Sequence, residues 1–175
     1  MPPSWVNIDV QGQNMEGYLT QPAEDGKYPA VVVIQEIWGV NSHIQYLTDR
    51  FPAQGYVGLA PAMFHREGPM TIGLHDEMPP ALERMGHCTD DGILADVRAA
   101  VDYLKAQPFV DPNRIGIVGF CFGGPYALLG ASRLGCDGLP PALRPKTSSS
   151  VGVVRVWPFA PMRIASKGEI SRLIS

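Results

Sequence analysis

The chain is predicted to fold as an α/β protein with a doubly wound, mostly parallel sheet, on three observations. Residues 30–34 (Ala-Val-Val-Val-Ile) form a short continuous apolar run rich in β-branched residues, as a strand buried on both faces does. Residues 115–119 (Ile-Gly-Ile-Val-Gly) form a second such run. Between the two, residues 89–107 carry Ile93, Leu94, Val97, Val101 and Leu104 as a helical stripe, so strands and helices alternate.

The remaining elements follow in chain order. Residues 6–10 alternate apolar and polar, and residues 13–20 follow Gln11-Gly12, which predicts an antiparallel hairpin at one edge. After the 30–34 strand, Asn41 is placed to cap a helix bearing Ile44, Leu47 and Phe51. Pro52 to Gly55 ends that helix before a strand at 56–60, completing one βαβ unit. From Pro61 to Cys88 no period holds, and Gly68, Pro69, Gly73, Pro79, Pro80 and Gly86 interrupt any element that starts. A connection that long in a compact domain is usually a lid or a binding loop. Thr89 and Asp90 are capping candidates for the helix that follows, Pro108 marks its end, and Asp111-Pro112-Asn113-Arg114 is a turn leading into the 115–119 strand.

Charge divides the chain. Residues 1–132 hold 7 basic against 15 acidic side chains, whereas residues 133–175 hold 7 basic against 2 acidic. The tail contains a Pro, basic and Ser stretch at 138–150, and its one strand-like run, residues 151–157, is broken by Gly152 and ended by Pro158. Residues 1–132 are therefore read as one domain, and residues 133–175 as a divergent basic tail foreign to it. A net charge of -3 supplies no basic face, so neither nucleic acid nor an anionic membrane is an expected partner. The N-terminus lacks the pattern of an export signal, and no segment approaches the roughly 20 apolar residues that span a bilayer. Cys88, Cys121 and Cys136 are odd in number and widely spaced, which fits no disulfide framework and suggests a reducing cytoplasm.

Two motifs carry chemistry. Gly119-Phe120-Cys121-Phe122-Gly123-Gly124 follows a strand and opens a helix at about residues 122–133, the pattern of a nucleophile elbow. The glycines let neighbouring backbone approach the tight turn, and the helix N-terminus aims its free N–H groups at the thiol, favouring the thiolate. The second motif, Gln35-Glu36-Ile37-Trp38-Gly39-Val40-Asn41, continues the 30–34 strand at its carboxyl end, where ligands bind in open α/β sheets. A carboxylate there is costly to bury without a partner or a role. No G-x-G-x-x-G opens a helix, which sets nucleotide binding aside.

Together with Asp111-Pro112-Asn113-Arg114-Ile115, the two motifs resemble the dienelactone hydrolase family over about residues 5–132. The resemblance implies a sheet of α/β-hydrolase type, with its C-terminal part missing here, and hydrolysis of a small-molecule ester or lactone without a cofactor or metal. It makes Cys121 the nucleophile and Glu36 the strand-end glutamate that activates the thiol. It places the two oxyanion-hole N–H groups at Ile37 and Phe122. Arg84, with Trp38, takes the substrate-binding positions, Arg84 as the bidentate partner of a substrate carboxylate, with lid surface charge as its alternative.

The family's remaining triad members, an Asp after a later strand and a His near the C-terminus, have no match here: no His follows His87. One of His43, His65, His75 and His87 could replace the missing base, but a loop His has no evident orienting partner, so all four are expected as surface or lid residues. Arg66 is expected as lid surface charge, with carboxylate binding as its alternative. The group His75-Asp76-Glu77 with His87-Cys88 matches no recognised metal-site spacing. Three readings stand: a cysteine hydrolase, inactive in this form; a non-catalytic fragment of a gene frameshifted near Ser132; and a small-molecule binding pseudoenzyme. Self-association through exposed sheet surface is expected unless the tail covers it.

Overall fold

The computed structural model describes residues 2–68 and 78–133, together with the backbone of residues 152–156. Among these residues, six strands form one sheet in the order β1-β2-β4-β3-β5-β6. The strands are β1 (Ser4–Val10), β2 (Gln13–Thr20), β3 (Tyr28–Ile34), β4 (Val57–Pro61), β5 (Val110–Gly119) and β6 (Gly152–Val156). The helices are α1 (Ser42–Asp49), α2 (Met78–His87), α3 (Asp90–Lys105) and α4 (Gly123–Arg133).

The parallel part is central: β3 pairs in parallel with β4 on one side and β5 on the other. The β1–β2 hairpin predicted at the edge joins this core through an antiparallel β2–β4 pairing. Its turn is held by the Gly12 N–H donating to Asp9 Oδ1 at 3.1 Å.

Helices cover both faces, because alternate residues of a strand point to opposite sides. Val33 of β3 packs with Ile44 and Leu47 of α1. Val32 and Ile34 pack on the other face with Ile93, Val97 and Leu104 of α3 and Ala127 of α4. The predicted cap of α1 is present: Asn41 Oδ1 accepts from the Ile44 N–H at 3.1 Å. Thr89 likewise caps α3, accepting from the Gly92 N–H at 3.1 Å.

The structure corrects the reading of the long connection. Residues 78–87 form α2, although Pro79 and Pro80 look like interruptions in the sequence. Both prolines fall in the first turn, where a backbone N–H has no intrahelical acceptor and its loss costs little. The turn at Asp111-Pro112-Asn113-Arg114 becomes an irregularity inside β5, where the pairing with β3 shifts register between Tyr28 and Ala30. There the Asn113 N–H donates to Asp111 Oδ1 at 3.0 Å.

The strand-like run of the tail contains β6, which pairs antiparallel with β5 from Ile115↔Val156 to Gly119↔Gly152. The far edge of β5 is thereby paired. No described helix is long and apolar enough to cross a membrane.

Candidate active site

Cys121 is the second residue beyond β5 and takes a left-handed backbone conformation, φ +49°. That region costs an L-residue with a Cβ roughly 1–2 kcal/mol, so the surroundings must enforce it. Two backbone hydrogen bonds do so: the Gly123 N–H donates to Phe120 O at 2.8 Å, and the Gly124 N–H to Cys121 O at 3.0 Å. The result lifts the thiol into an exposed position at the carboxyl edge of the sheet.

The glycine spacing has a steric cause. A Cβ on Gly119 would lie 1.9 Å from Gly123 O, and one on Gly123 would lie 2.6 Å from Ile34 O and 2.7 Å from Gln35 O. All three obstacles are backbone atoms that cannot swing aside. Helix α4 starts immediately after the turn, with Pro125 in its first turn.

The same close approach brings in the second motif. Ile34 of β3 is paired with Gly119 of β5, so Glu36 and Cys121 each lie two residues beyond a matched pair on adjacent parallel strands. Glu36 is half-buried. The chain turns back at once: the Gly39 N–H donates to Glu36 O at 3.3 Å, with Gly39 at φ +80°. Among the described residues, neither the Ile37 nor the Phe122 N–H has a backbone acceptor.

Gln35 precedes Glu36 and is fully buried. Its Oε1 accepts from the Met63 N–H at 3.1 Å, while its Nε2 has no hydrogen-bond partner among the described residues. A buried, unpaired donor costs about 1–3 kcal/mol.

Helix α2 covers this end of the sheet. Its Ala81 is buried against Trp38, with Ile37 packed alongside. Arg84, one turn further along, is half-buried, and its Nη1 is buried without a hydrogen-bond partner among the described residues. Cys88 follows the helix and donates from Sγ to Arg84 O at 3.5 Å. Burial pushes the Cys88 thiol up to about 11, with Asp96 and Glu67 adding to the shift and Arg66 opposing it.

One expectation for the lid is corrected. His65 has an orienting partner, its Nε2 lying 3.1 Å from Asp96 Oδ1, with both side chains almost wholly inaccessible to solvent. Arg66 is exposed, as expected of a surface charge, but its guanidinium is already engaged by a carboxylate of the protein. Its Nη1 donates to Asp96 Oδ2 at 2.9 Å and its Nη2 to Asp96 Oδ1 at 2.7 Å. His87 pairs with Glu67 at 2.9 Å, and His43 is exposed near the start of α1. Residues 75–77 of the supposed metal group lie outside the described residues.

Asp96 is the residue that sequence reasoning missed. It is fully buried, on the same side of α3 as Ile93, Val97 and Ala100, whereas Leu94, assigned to the apolar stripe, is only half-buried. A carboxylate spaced with the apolar residues of a helix was the available signal.

The family model described as "Dienelactone hydrolase family" matches residues 15–139. A Synechocystis protein provisionally named as a carboxymethylenebutenolidase is 42% identical over 132 residues, covering 73% of this chain and 52% of that protein. A carboxymethylenebutenolidase from a Pseudomonas species is 35% identical over 127 residues, covering 70% of this chain and 52% of the relative. A crystal structure from Klebsiella pneumoniae, provisionally named as a dienelactone hydrolase, superposes with a TM-score of 0.69 at 28% identity. It covers 86% of this chain and 65% of that one. The chain spans about half the length of the curated relatives it matches. With a family match over most of its length and a sheet of α/β-hydrolase type, the chain belongs to the dienelactone hydrolase family.

Proposed function

We propose that this chain carries the nucleophile half of a carboxylic ester or lactone hydrolase, with Cys121 as the attacking group. One observation carries the reading: an exposed thiol at φ +49° on a glycine-tight elbow, level with Glu36 across a parallel strand pair. In the proposed chemistry the Cys121 thiolate adds to the carbonyl carbon, forming a C–S bond and moving the carbonyl electron pair onto oxygen. The Ile37 and Phe122 N–H groups stabilise that oxyanion. Its collapse breaks the C–O bond and leaves a thioester, and the leaving oxygen takes up a proton. Water then cleaves the thioester, releasing the acid and restoring the thiol.

Glu36 acts on the thiol in this scheme, and Trp38 seats the lid helix over the site. Arg84 supports a substrate bearing a carboxylate, because its buried Nη1 lacks an acceptor among the described residues. A small acidic ester or lactone is the partner this arrangement fits, in the cytoplasm and without a cofactor.

The second half-reaction needs a base to activate water, and the sequence has no His beyond His87. Acylation followed by little turnover is therefore expected. Stopped-flow release of p-nitrophenol from p-nitrophenyl acetate tests this: a burst of about one equivalent and a slow steady phase, both lost in Cys121→Ala, support it. Sustained turnover abolished by Cys121→Ala contradicts the inactivity and points to a substitute base.

A second reading assigns residues 1–132 to the hydrolase and residues 133–175 to a tail replaced by a frameshift near Ser132. Two observations favour it. The charge balance reverses at that point, and β6 joins β5 antiparallel, where continuation of the doubly wound sheet would add a parallel strand. The other two reading frames downstream of codon 132 decide the matter. Absence in both of a strand followed by Gly-x-x-Asp, and of a later Gly-His, sinks the frameshift. A binding protein without turnover is separated from both by ester binding in the absence of any acyl adduct. Self-association through sheet surface is read by light scattering.

A further inference from the structure

Residues 62–67, which follow β4, touch both halves of the site without belonging to either. The Ala62 N–H donates to Glu16 O at 2.8 Å, and the Met63 N–H donates to Oε1 of Gln35, the neighbour of Glu36. Phe64 is 1% exposed, and its ring lies 5.4 Å from that of Phe122, the residue after Cys121. Phe122 in turn meets Tyr126 of α4 edge-on at 4.9 Å. His65 and Arg66 then converge on Asp96 of α3, which is wholly buried.

From this arrangement we propose that Asp96 and Phe64 are positioning residues for the oxyanion site, holding the Phe122 peptide in register with the end of β3. This rests on the acyl-transfer reading of Cys121 given above. A turn such as 120–123, with a left-handed residue at its centre, keeps its geometry only if its surroundings over-determine it. Phe122 is the part of that turn with a large buried side chain, gripped between Phe64 and Tyr126. Phe64 lies between β4 and a single 3-10 turn at His65–Glu67, a segment outside the sheet and the α-helices whose position depends on its anchors.

Asp96 is the strongest of those anchors. Its two oxygens accept two charge-assisted hydrogen bonds from Arg66 and face His65, all from the two residues directly after Phe64. Gln35 ties the same segment to the strand end bearing Glu36. The two sides of the oxyanion site, Ile37 after β3 and Phe122 after β5, thus share one brace. A donor displaced by a fraction of an ångström loses its effect on the transition state, whereas a nucleophile that needs no oxyanion donor is indifferent to the shift.

The test compares two reactions of Cys121 in the full chain: acylation by p-nitrophenyl acetate, which develops an oxyanion, and alkylation by iodoacetamide, which does not. Asp96→Asn and Phe64→Leu are expected to slow acylation at least about tenfold while alkylation stays within about twofold. Circular dichroism and thermal melts confirm that each variant is folded at the assay temperature. If Phe64→Leu does not fold, Asp96→Asn decides the result by itself. If Asp96→Asn does not fold, Arg66→Gln takes its place, removing the two hydrogen bonds that Arg66 donates to Asp96. Acylation unchanged, or acylation and alkylation falling together, overturns the positioning role. Absence of acylation in the parent chain overturns the acyl-transfer reading itself, which separates that failure from failure of the brace.

Discussion

Glu36 and Cys121 stand level with each other at the carboxyl edge of the sheet, each two residues beyond the matched pair Ile34 and Gly119. Adjacent strands lie about 4.8 Å apart, so the register alone makes neighbours of two motifs separated by more than 80 residues of sequence. The approach is tight enough that a Cβ on Gly123 would meet Ile34 O and Gln35 O.

That contact makes the glycines of the elbow irreplaceable in different degrees from those elsewhere. Gly119→Ala and Gly123→Ala are each expected to destabilise the fold by about 3 kcal/mol or more, since rigid backbone must move to admit the methyl group. Gly86→Ala is the contrast: it lies in α2 with nothing within 4 Å of the added Cβ, and it is expected to stabilise by about 0.5–1 kcal/mol. Urea unfolding of the three variants checks the ordering.

The thiols of Cys88 and Cys121 should separate by rate. Cys121 is exposed, whereas Cys88 is half-buried with its thiol pushed up to about 11, chiefly by burial. At pH 8 only about one Cys88 in a thousand is a thiolate, because each unit of pKa above the pH is a factor of ten. Peptide mapping after brief iodoacetamide treatment at pH 8 is expected to find Cys121 modified well before Cys88. The reverse order would contradict the placement of both.

His87 and Glu67 join the end of the lid helix to the segment after β4. The hydrogen bond that His87 donates to Glu67, and the Glu67 charge, raise the His87 pKa above the ordinary 6.5. A raised folded-state value means that the stabilisation is fully present below pH 6.5 and is lost as pH rises through the folded value. The pair is exposed, so salt should weaken it. An NMR titration is expected to place His87 above 6.5 and to bring it back toward 6.5 in Glu67→Gln. No change in that variant would dismiss the pair.

The sequence makes most of the fold legible because its signals are local. Asn41 and Thr89 cap the helices they precede, and the runs ending at Ile34 and Gly119 are the central strands. Cys121 is equally legible, since its elbow is written in contiguous residues. What escapes is set by tertiary contact. Pro79 and Pro80 read as breaks until their place in the first turn of α2 is known. His65 gains its partner from a residue 31 positions away, and Asp96 looks like a surface carboxylate until Arg66 and His65 are seen on it. The pairing of the tail strand with β5 is equally non-local.

The most direct measurement is intact-protein mass spectrometry of the chain quenched in acid seconds after mixing with p-nitrophenyl acetate. One added acetyl group is expected, mapped by peptide analysis to Cys121 and absent from Cys121→Ala. No adduct on the parent chain, or one that persists in Cys121→Ala, would contradict Cys121 as the nucleophile.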